Sequence, residues 1–210
     1  MQRTLLCVLA FLVLAAPASV PTEQRVRAEL AKNEPFAGLK ELGPQVLPVL
    51  ARIYAKSDEH GRSEIAGLFY RLGWKSPEAK TVLMKDVHTP NEALRVNVQY
   101  ALGRVSSDPD VVDVLSDIMQ HDTSPLFRDK AACSLAYDQI HLTEAQKVRL
   151  YGNLITALDS TNTQVRQIAV LALKIHTGQD KGYNALAAPD QRQKSVEQWR
   201  KWLEEYKRNL

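Results

Sequence analysis

The chain has 210 residues, of which 45% are apolar and 24% charged, with a formal charge of +3. That length fits one domain better than two, and the apolar content excludes a disordered chain. So small a positive charge gives no reason to expect a nucleic acid or another polyanion as partner.

The first element is a leader. Met1-Gln-Arg-Thr is short and basic, Leu5 to Ala16 is an unbroken apolar run, and Ala16-Pro17-Ala18 places small residues at the −3 and −1 positions of a cleavage site. This is the three-part layout of a secretory signal over residues 1–18, cut near Ala18. Twelve apolar residues are too few to span a bilayer. Nothing later is apolar for long enough, so no transmembrane segment is expected in the mature chain, which would be periplasmic or secreted. Cys7 leaves with the leader and only Cys133 remains, so no intramolecular disulfide can form. Cys133 sits in an apolar helical stretch and reads as a buried structural thiol.

Residues 19–43 read as an N-terminal cap, with one polar helix over 22–33. From residue 44 a repeat begins. Val46, Val49, Leu50 and Ile53 mark an amphipathic helix, and Arg62, Ile65 and Phe69 mark its partner. Ser76-Pro77 starts the next unit, because an N-cap oxygen before a proline suits the first helical turn. Ala79, Val82 and Leu83 follow, then Arg95, Val98 and Leu102. Asp108-Pro109 opens the third unit, with Val111, Val114, Leu115 and Ile118. Ser124-Pro125 opens its second helix, with Arg128, Ala131 and Leu135. Thr143 and Gln146 form a capping box before Leu150, Tyr151, Leu154, Ile155 and Leu158. Arg166, Ala169 and Leu173 complete the fourth unit. Gly178 is a candidate C-terminal cap. Asp190–Gln193 opens a last helix that carries Val196, Trp199, Trp202, Leu203 and Tyr206 on one face.

The four arginines stand 33, 33 and 38 residues apart. A helix–turn–helix period of that length is a solenoid, since one pair cannot bury its apolar face alone. The repeats span about 44–73, 76–105, 108–140 and 143–177, and residues 178–210 form a Gly-rich exit and a capping helix. The run Asn162-Thr-Gln-Val-Arg166-Gln-Ile-Ala-Val-Leu-Ala-Leu173, with Asp or Asn in the turn and then Val-Arg, resembles HEAT repeats. The tail resembles the ending of exported bacterial HEAT-like proteins of unknown role. The resemblance implies an all-α superhelix of about four helix pairs with capping helices at both ends. It implies a protein-binding scaffold more than a particular partner.

The candidate sites follow from the repeat. A cation in the first turn of a helix opposes the helix dipole, so each arginine needs a partner. Asp58, Glu92, Asp122 and Asp159 lie in the preceding turns, and a ladder of Arg62, Arg95, Arg128 and Arg166 bridging to turn acids of neighbouring repeats would set their register. A peptide or protein partner would lie across the concave face of the second helices, on Asn97, Gln99, Lys130, Gln167 and Lys174. His88, His121 and Asp122 are the alternative, a metal-dependent or enzymatic site. No His-Glu-x-x-His, Gly-x-Ser-x-Gly or phosphate-binding loop is present, so no catalytic residue, no metal ligand set and no cofactor is assigned.

Overall fold

A computed structural model of the chain describes residues 20–138 and 142–210. The leader read over 1–18 lies outside the described residues. Among the described residues there are helices and turns and no strand. In chain order they are α1 (Glu23–Leu30), α2 (Pro35–Leu42), α3 (Leu47–Tyr54), α4 (Glu59–Leu72), α5 (Pro77–Asp86), α6 (Glu92–Val105), α7 (Pro109–His121), α8 (Pro125–Cys133), α9 (Glu144–Ala157), α10 (Thr163–Thr177) and α11 (Pro189–Arg208). A 3₁₀ turn, Pro44–Val46, leads into α3, and a π-helical turn, Ser134–Asp138, continues α8.

The helices form two layers. The second helices α4, α6, α8 and α10 follow one another in one layer, and among the first helices α3 rests on α5 and α7 on α9. α1 packs against α3 and α2 against α4, while α11 packs against α9. The caps therefore prolong the layers instead of lying across them. The apolar stripe of every second helix faces inward: Phe69, Val98, Leu102, Ala131, Leu135, Ala169 and Leu173 are all fully buried. Burial of such stripes between neighbours is the dominant stabilising term, because no unit closes its own core.

Local signals set most helix ends. The Ser76 hydroxyl accepts from the Ala79 N–H at 3.1 Å. Thr143 and Gln146 make the reciprocal capping box. Gly178 closes α10 in the left-handed conformation at φ 72°. Two caps work differently from their sequence pattern. Asp108 stands at the N-cap of α7 without accepting a capping bond. Its carboxylate takes the Lys80 ammonium at 2.6 Å instead, which also reaches Asp110 at 2.8 Å. Ser124 likewise makes no side-chain capping bond.

Two elements depart from the sequence pattern. The N-terminal cap is a pair, not one polar helix: α2 follows α1 and buries Leu39 and Leu42. The second helix of the third unit does not stay α-helical. At its π-turn the Leu135 carbonyl accepts a hydrogen bond from His176 Nε2 of α10 at 3.0 Å, and Ser134 Oγ donates to the Gln99 carbonyl of α6 at 2.9 Å. A π-turn frees carbonyls from the ordinary ladder, and here the neighbouring helix takes one of them. Burial holds the His176 imidazole below its usual pKa range, although the bond to Leu135 works the other way.

Candidate functional site

The arginine series occupies equivalent positions at the starts of α4, α6, α8 and α10. Three of the four cap their own unit's turn. Arg95 Nε donates to the Val87 carbonyl at the end of α5, at 3.1 Å. Arg128 reaches the carbonyls of Asp122 and Thr123 after α7, at 2.5 and 3.3 Å. Arg166 reaches those of Ser160 and Thr161 after α9, at 2.8 and 3.0 Å. Carbonyls at a helix C-terminus carry partial negative charge, so a cation is favoured there even though it opposes the dipole of its own helix.

The other side of each guanidinium turns to the following unit. Arg62 pairs with Asp86 at 2.9 Å, and Tyr54 donates to the same carboxylate at 2.6 Å. Burial, with the Asp86 carboxylate beside it, pushes the Tyr54 phenol well above its usual range. Arg95 pairs with Asp122 and lies 4.0 Å over the Phe127 ring. Arg128 takes Gln164 Oε1 at 2.6 Å, and Arg166 takes the Ala185 carbonyl of the C-terminal exit at 2.8 Å.

The acids read from the turns are therefore only partly the ones used. Asp122 holds a ladder arginine. Asp58 instead caps α4, Asp159 meets Arg200 of α11 at 2.5 Å, and Glu92 opens the first turn of α6. Asp86, at the end of α5, carries no turn signature and was not legible in advance. Further links run between neighbouring units. Asn91 donates to Glu59 at 2.8 Å, and Arg149 Nε donates to Asp113 at 2.6 Å.

The histidine alternative finds no assembled site. The Asp122 carboxylate is occupied by Arg95 and by the Ser124 N–H at 2.8 Å. His121 leans on Asp117 at 2.9 Å, and His60 on Glu64 at 3.5 Å. Among the described residues no three His, Cys, Asp or Glu side chains gather to hold a metal ion.

The five residues read as partner-binding are placed unequally. Gln167 and Lys174 are exposed on α10, the latter 3.4 Å from Asp180. Lys130 is half-buried, bonded to Asp129 at 3.0 Å and 5.9 Å over the Tyr100 ring. Asn97 is half-buried and donates to Ser63 Oγ at 3.0 Å. Gln99 corrects the expectation of an exposed contact residue. It is 0% exposed, and neither amide atom has a hydrogen-bond partner. It lies four residues after Arg95, at a position filled by Ala66, Ala132 and Val170 in the other units. That position faces the stacked neighbour, so a polar residue there is enclosed by its own fold. Gln99→Met is therefore expected to raise the unfolding free energy by about 1–3 kcal/mol, since it removes two buried polar atoms that make no bond. A higher urea midpoint at unchanged slope would show this, and a lower one would mean that the amide is satisfied.

Part of the exposed surface of the second helices is apolar. Tyr137 is 57% exposed, Leu171 56% and Ile175 38%. Together with Ile168, Cys133 and Ala136 they line a shallow groove between the π-turn and α10. Tyr70 and Tyr100 continue this surface towards the N-terminus, with ring centres 5.5 Å apart and Arg104 5.5 Å over the Tyr70 ring. These residues recur five and nine positions after the ladder arginine, as Tyr100 and Arg104, Cys133 and Tyr137, and Leu171 and Ile175. That spacing was available in the sequence but was masked by the stronger buried stripe. Contiguous exposed apolar surface of this kind marks an interaction site more often than scattered residues do.

Residues 47–136 match the family model of HEAT repeats. No curated protein matches the chain. The matched stretch runs from α3 into the π-turn, and the same two-layer stacking continues beyond it on both sides. The architecture is an all-α, HEAT-like solenoid. No helix among the described residues is long and apolar enough to cross a membrane.

Proposed function

We propose that this HEAT-like solenoid is a non-enzymatic scaffold of the cell envelope, exported by cleavage near Ala18, which binds a peptide or protein partner on the exposed face of its second helices. HEAT repeats commonly serve as protein-interaction scaffolds, and the all-helical stack supports that class. The observation that carries the reading is the exposed apolar row Tyr137, Leu171 and Ile175, with Tyr100 beside it. Interfaces concentrate their binding energy in such aromatic and aliphatic anchors, with polar residues at the rim. Lys130, Gln167 and Lys174 then belong to the rim, and Gln99 drops out because it cannot be reached.

The test is retention of a partner from an envelope extract on the immobilised protein. Tyr137→Ser combined with Leu171→Ser and Ile175→Ser is expected to weaken retention by at least about tenfold, as expected for loss of hot-spot anchors. Gln167→Ala with Lys174→Ala should change it little. Equal retention by the apolar triple variant and the wild type, with helical content intact, would reject the face.

A further inference from the structure

A cavity of about 470 Å³ lies at the opposite end of the molecule from the apolar groove. It opens between the α1–α2 connection and the flank of α4. It runs along α4 from Gly61 to Arg71, and the eight-residue α2 contributes only Pro35 to its wall. Lys32 and Asn33 of the connection line one side, and Leu30, Ile53, Ile65 and Leu68 supply the apolar part. A volume of this size, apolar below and polar at the rim, is in the range of small-ligand pockets.

Two residues of α4, Gly67 and Arg71, define the wall of the cleft. Gly67 lies in the middle of a 14-residue helix, where glycine is the poorest residue after proline. A Cβ placed there would meet nothing within 4 Å, so no neighbour requires the glycine. What the missing side chain does is leave the cavity wall open down to the backbone. Four residues on, on the same face of the helix, Arg71 is exposed and its guanidinium lies 4.4 Å from the centre of the Phe36 ring. Its guanidinium enters no ion pair or hydrogen bond among the described residues. The other basic residues of the rim are differently placed: Arg27 holds Glu23 at 2.8 Å and Lys32 holds Glu29 at 2.7 Å. The carboxylate of the rim, Glu64, is turned to His60 at 3.5 Å. Arg71 is thus a cation held against the Phe36 ring with its N–H donors unused among the described residues. That arrangement suits a bidentate carboxylate.

The geometry points to a binding site for a carboxylate carried on an apolar stem, with the stem over Gly67 and the carboxylate on Arg71. Two sources share this chemistry: a free aliphatic acid, and the C-terminus of a peptide ending in apolar residues. Gly67 and Arg71 stand five and nine residues after Arg62, on the same side of the second helices as Tyr137, Leu171 and Ile175 but at the other end of the stack, and the titration below does not depend on a partner binding there.

Calorimetric titration of the purified protein separates the outcomes. The probes are octanoate, acetyl-Leu-Leu as the free acid, the same dipeptide as its C-terminal amide, and inorganic phosphate. At least one of the two acids is expected to bind, and which binds more tightly identifies the source. The amide should bind at least about tenfold more weakly than the acid, and phosphate should not bind. Arg71→Gln should lower the affinity for the acids by about tenfold or more while leaving weak binding of the amide in place. Gly67→Leu should fill the cleft and abolish binding of every probe, with a melting temperature no lower than that of the wild type. The site is rejected if no probe binds, if amide and acid bind alike, if phosphate binds as tightly as the acids, or if both variants keep wild-type affinity.

Discussion

Arg95→Ala is expected to lower the unfolding free energy by about 3–5 kcal/mol, the cost of leaving a buried charge without its partner. Arg95 is buried and the Asp122 side chain is only 10% exposed. Without the guanidinium that carboxylate keeps only the Ser124 N–H, the Val87 carbonyl loses its donor, and the Phe127 ring loses the cation stacked on it. At about 2–4 °C per kcal/mol for a chain of this length, the melting temperature should fall by roughly 10 °C. Arg62→Ala should cost less, because the Arg62 side chain is 28% exposed and water can replace part of what is lost. The double variant Arg95→Met with Asp122→Leu should recover most of the deficit, since it removes both buried charges together. Urea unfolding of the three variants is the measurement. The ladder has no structural weight if Arg95→Ala costs no more than loss of an exposed pair such as Lys207–Glu204.

Trp199→Ala should have an effect of similar size, about 3–5 kcal/mol, for a different reason: it opens a cavity that the surroundings can only partly fill. Trp199 is wholly buried where α11 meets α9, edge-on to Trp202 at 5.3 Å, with the Lys181 ammonium 5.4 Å from its centre. Its indole N–H is buried without a partner, so Trp199→Phe keeps most of the packing and should cost far less. Trp202, only partly buried, should tolerate alanine better. The loss should also be local. Each unit of a solenoid touches only its neighbours, so hydrogen exchange should accelerate in α9, α10 and α11 and stay near wild type in α3 to α6. Uniform acceleration would show that the stack unfolds as one unit and that the cap has no local role.

Both effects concern residues that the sequence singled out, and the reason is periodicity. The arginines recur at one offset from the buried stripe, and the tryptophans share a face of an amphipathic helix. What each arginine binds was less legible. Asp122 stands in a turn and was anticipated. Asp86 is the last residue of a helix, and Gln164 and the Ala185 carbonyl carry no charge at all. The partner is chosen by which part of the next unit comes to rest against the guanidinium, and that depends on stacking distance more than on residue type.

Exposure along the second helices depends on the same stacking. Asn97 and Gln99 are polar and are expected to be exposed. On an isolated helix that inference is sound. In a stack each second helix is covered on its inner face and on two flanks, so a narrower arc than usual remains exposed. Gln99 falls inside the covered arc and Leu171 outside it. The N-terminal pair shows the same limit. The eight-residue α2 is too short for its period to stand out, and its burial of Leu39 depends on α4 being there.

Local pattern carries the helical class, the four repeat pairs between residues 44 and 177, the capped ends at Ser76, Thr143 and Gly178, and the inward stripe. All of these follow from interactions within a few residues of one another. The seating of one pair on the next sets which acids meet the arginines, encloses Gln99, lets His176 hold the π-turn after α8 and opens a cleft beside Gly67 and Arg71. These depend on contacts between residues some 20 to 40 positions apart, set by how one helix pair seats on the next, and short-range periodicity carries no information about that distance.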